Sequence, residues 1–214
     1  MKNNATELVF ILDESGSMYG LKGDTIGGFN SMIDKQKQEE GKCYVSTVLF
    51  NTDRKVIHDR VLLENVKEMT EKDYQPNDCT ALLDAIGYSI NHITKVHKYI
   101  REEDVPNKTL FVIITDGYEN ASRRYKASQI REMISGKKEK DKWEFMFIGA
   151  NIDAVCTAET YGIDPDMAVN YLADHQGSKV VYDSVSRAVG SMRKHQKVSK
   201  GWNDEIAEDF NSRK

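Results

Sequence analysis

The sequence is poor in cysteine and has no long apolar run. Its three cysteines, Cys43, Cys79 and Cys156, are odd in number and widely spaced, which argues against a disulfide framework and against a zinc site built from CxxC pairs. No segment approaches the roughly 20 apolar residues that a membrane-spanning helix needs. We therefore expect reduced thiols and no membrane partner.

Charge of one sign is also scarce. The formal net charge is −4 in 214 residues, and the basic clusters at residues 137–142 and 193–200 are mixed or interrupted. Because binding to a phosphate backbone needs a basic stripe, no nucleic acid is expected as a partner. Residues 1–7 are polar and carry no apolar signal region, which predicts a cytoplasmic location.

Short apolar blocks predict the strands. Unbroken runs at residues 8–12, 110–114 and 145–148 are typical of strands that are buried on both faces of a parallel sheet. A fourth strand is predicted over residues 44–50, and a short polar turn joins it to a fifth over residues 55–58. Because such a turn connects antiparallel neighbours, we predict that the fifth strand is antiparallel and lies at the sheet edge.

Between the strands, apolar residues recur at steps of three and four, the spacing of amphipathic helices. The longest such pattern runs from Thr80 to Ile100, and a weaker helix–strand–helix unit covers residues 154–195. The alternation predicts a doubly wound, Rossmann-like α/β fold around a mostly parallel six-stranded sheet with one antiparallel edge strand. We assign residues 1–197 to this domain and residues 198–214 to a C-terminal tail or a short docked helix.

Oxygen-bearing side chains follow the predicted strands. Asp13 directly follows the first apolar run, and Asp116 follows the run at residues 110–114 after one threonine. In an open parallel sheet, ligands bind at the carboxyl edge where the strand order reverses, so these two carboxylates converge if their strands are neighbours. Ser15 and Ser17 follow Asp13 on a turn, and Thr80 precedes the longest helix. Hard oxygens of this kind favour Mg²⁺, Mn²⁺ or Ca²⁺ over zinc.

These segments resemble a known motif. The run Asp13-Glu14-Ser15-Gly16-Ser17, the distant Thr80 and the run Thr115-Asp116-Gly117 look like the complete metal-ion-dependent adhesion site (MIDAS) of the von Willebrand factor A (VWA) family. The resemblance covers about residues 7–195 and is to stand-alone intracellular members from bacteria or phages. It implies the three-layer VWA fold.

The resemblance also implies a metal site. Its cation, Mg²⁺ or else Mn²⁺ or Ca²⁺, would be held by Asp13, Ser15, Ser17, Thr80 and Asp116, with the two serines as direct ligands. Neutral hydroxyls leave the cation electrophilic, and an open coordination position accepts an Asp or Glu carboxylate from a partner protein. The implied function is metal-dependent protein binding rather than catalysis. Asn120, Asn151 and Asp153, which follow strands at the same edge, are candidates for shaping the partner surface.

Two other functions stay open. A Mg²⁺-dependent enzyme would use Asp13 and Asp116 in phosphoryl transfer or hydrolysis, which usually needs a positioned lysine or an acid/base partner. No lysine stands at a predicted strand end, and no histidine is tied to the aspartates by spacing. A domain in which the metal only stabilises the fold is the third possibility. The sequence does not predict an oligomeric state.

Overall fold

The computed structural model describes residues 4–195 and 197–214. Residues 1–3 and residue 196 of the predicted domain lie outside the described residues. The strands in the described part are β1 (Thr6–Asp13), β2 (Cys43–Phe50), β3 (Arg54–Leu62), β4 (Lys108–Thr115), β5 (Glu144–Gly149) and β6 (Ala168–Asn170). The α-helices there are α1 (Lys22–Lys37), α2 (Leu82–Tyr99), α3 (Ala127–Asp141), α4 (Ala154–Thr160), α5 (His175–His195) and α6 (Asp204–Arg213).

The strands form one sheet in the order β3-β2-β1-β4-β5-β6. All neighbours are parallel except β2 and β3, so β3 is an antiparallel edge strand. The predicted fold class and the predicted position of the antiparallel strand are confirmed. The chain runs from β1 outwards to β3 and then continues on the other side with β4, so the strand order reverses between β1 and β4. This is the place where ligands bind in doubly wound sheets.

Helices cover both faces of the sheet. Alternate residues of β1 point to opposite faces, as the pleat of a strand requires. Leu8, Phe10 and Leu12 belong to the core beneath α1 and α5, whereas Val9 and Ile11 belong to the core beneath α2, α3 and α4. Burial of each large apolar side chain contributes about 1.5–3 kcal/mol, so the middle of the sheet is a rigid support for the residues at its edge.

The C-terminal segment packs on the same core as α1 and α5. Trp202 and Ile206 are buried there, and the Trp202 indole Nε1–H donates to the Asp166 carbonyl oxygen at 3.0 Å. Arg213 near the end of α6 bonds to the carboxylate of Asp174 at 2.6 Å. Within residues 4–195 and 197–214, no helix is both long and apolar enough to cross a membrane.

Candidate metal centre

The predicted ligands lie at the carboxyl edge of β1 and β4. Asp13 is the last residue of β1, and Asp116 follows the last residue of β4. Leu12 pairs with Ile114, so the two strands end side by side. A 3₁₀ turn over Gly16–Leu21 follows Asp13 and carries Ser17. The reversal of strand order therefore places the two aspartates together, as the sequence predicts.

A chain of hydrogen bonds connects four of the five residues. The Ser15 backbone N–H donates to Asp13 Oδ1 at 2.7 Å. The hydroxyl oxygens of Ser15 and Ser17 are 3.1 Å apart, and the Ser17 hydroxyl donates to Asp116 Oδ1 at 2.5 Å. Asp13 and Asp116, which are 103 positions apart in the sequence, thus belong to one small cluster of oxygen atoms.

Thr80 borders the same cluster. A Cβ atom built on Gly117 would lie 4.0 Å from Ser17 Oγ and 4.0 Å from Thr80 Oγ1, so the two hydroxyls face one small space above Gly117. The position of Thr80 is fixed by Asn120, because the Thr80 N–H donates to Asn120 Oδ1 at 2.8 Å and the Asn120 N–H donates to the Thr80 carbonyl oxygen at 3.0 Å. The structure therefore brings all five predicted residues to one place.

Thr80 does not cap α2. The cap position is Ala81, and no side chain caps it. The N–H groups of the first turn are bonded from the loop after β4 instead: the Leu83 N–H donates to the Glu119 carboxylate at 2.9 Å and the Asp84 N–H donates to the Ser122 hydroxyl at 3.0 Å. The Thr80 side chain is consequently not needed at the helix start.

The two aspartates are buried charges. Burial raises the pKa of Asp13, although hydrogen bonds from Ser15 and Thr115 partly oppose the shift. Burial also raises the pKa of Asp116; the bond from Ser17 lowers this pKa, and the nearby negative charge of Asp13 raises it further. Hydrogen bonds from hydroxyl and backbone groups lower the pKa of both carboxylates. No lysine or arginine of the described residues is among the causes of either pKa shift.

This donor set fits a hard divalent cation. Two carboxylates and three hydroxyls are oxygen ligands, which magnesium, manganese and calcium prefer. Buried carboxylates without a cationic partner are costly, and a bound dication would supply the missing positive charge. Among residues 4–195 and 197–214, no group of three or more histidine, cysteine or acidic side chains offers a metal site of another type.

Other residues hold the ligands in place. Thr115 Oγ1 donates to Asp13 Oδ2, and the Tyr74 hydroxyl donates to the Asp13 carbonyl oxygen. The Asn151 amide donates to the Asp116 carbonyl oxygen at 3.1 Å. Asp153 contributes nothing to this cluster; its carboxylate accepts the Cys156 N–H at 3.0 Å and caps α4. Neither Thr115 nor Tyr74 is among the functional residues predicted from the sequence.

The signals for these two residues differ. Thr115 directly precedes Asp116 in the sequence, and its polarity at the end of an apolar run was a usable sign. Tyr74 lies in an irregular segment 61 positions after Asp13, so no local pattern connects the two.

Comparison with solved structures decides the fold. No protein-family model matches the sequence, and no curated protein matches it. A von Willebrand factor type A structure from Catenulispora acidiphila aligns with 87% of this chain and 43% of its own, at a TM-score of 0.57 and 11% identity. The chain has the fold of a VWA domain.

Two other solved structures with this fold contain a metal ion. Manganese-loaded TRAP protein of Plasmodium vivax aligns with 85% of this chain and 73% of its own, at a TM-score of 0.56 and 16% identity. Proximal thread matrix protein 1 from the mussel byssus, with a zinc-occupied MIDAS motif, aligns with 86% of this chain and 46% of its own, at a TM-score of 0.59 and 12% identity. This chain spans less than half of the mussel and Catenulispora chains. At such identities, the similarity shows the VWA fold alone.

Proposed function

We propose that this VWA-fold chain is a metal-dependent protein-binding module that captures an acidic residue of a partner protein. Asp13, Ser15, Ser17, Thr80 and Asp116 would hold one divalent cation. The observation that carries the proposal is the cluster of these five side chains around two buried carboxylates whose pKa values are raised by burial. We further propose a cytoplasmic location, in a bacterial or phage system.

The chain itself prepares the place for the ion and for the partner. Three of the five ligands are neutral hydroxyls, which donate little charge to a cation. When bound, the dication would supply an electrophilic site that takes a carboxylate oxygen. Gly117 has no side chain in the space that the hydroxyls of Ser17 and Thr80 border, so a partner's carboxylate can approach there.

We propose Mg²⁺ as the ion, with Mn²⁺ or Ca²⁺ as substitutes. The all-oxygen donor set supports a hard cation. The zinc in the MIDAS motif of the mussel protein supports a divalent ion at this place in the fold, and the manganese-loaded TRAP protein is a second metal-containing structure with the same fold.

Exposed aromatic side chains support a protein partner. The large hydrophobic side chains that are exposed in the described part are Tyr19, Val56, Tyr99 and Tyr118. Tyr19 is 74% exposed and Tyr118 is 64% exposed, and each stands two residues after a proposed ligand. Tyrosine is enriched at the centres of protein interfaces, so these two rings are suited to contact the partner around its acidic residue.

Affinity capture from the source cells tests the proposal. The purified chain is immobilised in Mg²⁺ or in EDTA, and Thr80→Ala and Asp116→Ala are compared with wild type. Asp34→Ala is the matched control, because Asp34 is an exposed residue of α1. We expect a protein that is retained in Mg²⁺ by wild type and by the control, and lost in EDTA and in both site variants. Retention of the same proteins in EDTA and by both variants would refute the proposal.

A further inference from the structure

A cavity lies beside the proposed metal site. Its volume is about 230 Å³, and its walls come from the turn between β2 and β3, the start of α2 and the loop after β4. Ala81, which follows Thr80, lines this cavity, and so does Ala121, whose N–H donates to the Thr80 carbonyl oxygen at 3.2 Å. The cavity therefore adjoins the residues that position Thr80.

Three arginines line the cavity: Arg54, Arg123 and Arg124. Within the described part of the chain, none of their guanidinium groups forms an ion pair. The other arginines of the sequence all bond to a carboxylate or a carbonyl oxygen: Arg60, Arg101, Arg131, Arg187, Arg193 and Arg213. In the described part, the arginines whose guanidinium groups bond to neither a carboxylate nor a carbonyl oxygen are thus concentrated at one cavity.

The fold holds these arginines in place. Asp84 Oδ2 accepts the Arg123 N–H and Asp84 Oδ1 accepts the N–H groups of Arg124 and Tyr125, each at 2.9 Å. These bonds fix the backbone from which the two arginine side chains extend. The Arg54 guanidinium lies over the ring of Tyr88 at 3.9 Å from its centroid, which orients its planar group. Less rotamer freedom is lost when a side chain oriented in this way, that of Arg54, binds a ligand.

Charge and shape favour an anion. Asp84 lines the cavity, but its two oxygens are used by three backbone N–H groups. Asp53 is the other acidic residue of the lining and is exposed. Guanidinium groups bind carboxylate and phosphate oxygens with paired hydrogen bonds, and three of them outnumber the two aspartates.

We propose that Arg54, Arg123 and Arg124 bind an oxyanion, a phosphoryl or carboxylate group, that belongs to the same partner segment whose acidic residue binds the metal. That the anionic group belongs to this partner segment rests on the proposed function. Binding of the anion itself does not rest on it, because none of the proposed metal ligands lines the cavity. The partner segment would thus carry two anionic groups, one for each site.

Titration with simple anions tests this site. Inorganic phosphate and acetate are added separately to the full chain in EDTA, and binding is followed by the NMR signals of the arginine side chains and by calorimetry. An Arg123→Gln/Arg124→Gln double variant is compared with wild type. A Lys95→Gln/Lys140→Gln double variant is the matched control, because it removes the same charge from exposed positions outside the cavity.

We expect binding of at least one anion, weakened by about tenfold for each guanidinium removed and unchanged in the control. Tighter binding of phosphate than of acetate would identify the ligand of the arginines as a phosphoryl group. Similar binding of the two anions would identify it as a carboxylate. Binding of neither anion, or equal binding by wild type and the arginine variant, would overturn the proposal. Calorimetric Mg²⁺ uptake by the arginine variant is measured in parallel, so that failure of the metal site is seen separately.

Discussion

The Ser17 hydroxyl donates a hydrogen bond of 2.5 Å to the carboxylate of Asp116, a residue 99 positions further along the chain. This bond joins the turn after β1 to the end of β4. It places a neutral donor against a carboxylate that is buried beside a second one, so the local charge stays negative. A cation at this point would replace the hydroxyl proton as the partner of the carboxylate.

The charge of Asp116 is expected to destabilise the metal-free protein at neutral pH. The pKa of Asp116 is raised in the folded chain. The protonated carboxyl group therefore stabilises the folded state at a pH below the unfolded pKa of about 3.8, and this stabilisation is lost as the pH rises through the folded pKa. Asp116→Asn keeps an oxygen that accepts the Ser17 hydrogen bond but removes the charge. We predict a melting temperature in EDTA that is about 2–4 °C higher, the effect of about 1 kcal/mol in a domain of this size.

Mg²⁺ provides the second half of that test. At a concentration 100 times its Kd, a ligand of the native state stabilises by about 2.7 kcal/mol. Wild type should gain stability in saturating Mg²⁺, whereas Asp116→Asn should lose most of this gain. Differential scanning calorimetry in EDTA and in Mg²⁺ measures both effects. A variant less stable than wild type in EDTA that keeps the full gain in Mg²⁺ would contradict the prediction.

Thr115 is predicted to be a positioning residue. Its hydroxyl donates to Asp13 Oδ2, and removal of such an orienting contact typically costs 10–100-fold in metal affinity. Thr115→Val keeps the shape of the side chain and removes the donor. We expect a Mg²⁺ affinity lower by about this factor in calorimetric titration. Thr109→Val, at the other end of β4, is the control and should bind Mg²⁺ as wild type does. Equal affinities in all three proteins would show that Thr115 has no such role.

The substitution Gly117→Ala is predicted to abolish partner binding while metal binding is kept. A methyl group at this position would lie 4.0 Å from Ser17 Oγ and Thr80 Oγ1, an ordinary contact distance, so Gly117→Ala should fold. The methyl group would nevertheless occupy the space through which a carboxylate approaches. We expect Mg²⁺ uptake close to wild type and loss of the partner that is retained in Mg²⁺.

Gly136→Ala is the control for Gly117→Ala, since a Cβ atom there meets no other atom within 4 Å. This control should retain the partner. Unchanged partner retention by Gly117→Ala would indicate that the partner approaches the metal from another side.

His58 should make stability depend on pH. Its Nε2 donates to the Lys67 carbonyl oxygen at 3.0 Å, and its Nδ1 accepts from the Thr47 hydroxyl at 3.1 Å, an arrangement that suits the neutral ring. Burial lowers the pKa of His58. The unfolded chain therefore binds a proton near pH 6.5 while the folded chain does not, so stability should fall as the pH decreases from about 7 towards the folded pKa.

Urea unfolding at about pH 7.5 and about pH 5.5 measures this dependence. His58→Gln should reduce the loss of stability at the lower pH. His195→Gln is the control and should leave this loss unchanged, because His195 is exposed at the end of α5. Equal pH dependence of wild type and His58→Gln would rule out the contribution of this histidine.

Much of the fold follows from local patterns. The apolar runs within β1, β4 and β5 are short but uninterrupted, so burial on both faces is the simplest interpretation. The edge strand was predicted over residues 55–58, but β3 continues to Leu62. Its extension includes the charged residues Asp59 and Arg60, which bond to His92 and to the buried carboxylate of Glu7, and no local pattern indicates these long-range contacts.

Part of the cluster of proposed ligands can also be predicted from the sequence. The sequence places Asp13 and Asp116 at the ends of two strands, and only the order of those strands had to be inferred. The contacts of Tyr74 and Asn120 could not be predicted, because they join irregular segments to distant residues. The concentration of unpaired arginines beside Ala81 depends on how the turn between β2 and β3 lies relative to the loop after β4, which no periodicity in the sequence indicates.

Diffraction from crystals soaked in Mn²⁺ would locate the proposed cation itself, because manganese scatters anomalously and marks its own position. We predict one strong anomalous peak among the oxygens of Ser15, Ser17, Thr80, Asp13 and Asp116, and its absence in crystals of Asp116→Ala. Crystals with no peak among these five side chains, or with the same peak in Asp116→Ala, would contradict this prediction.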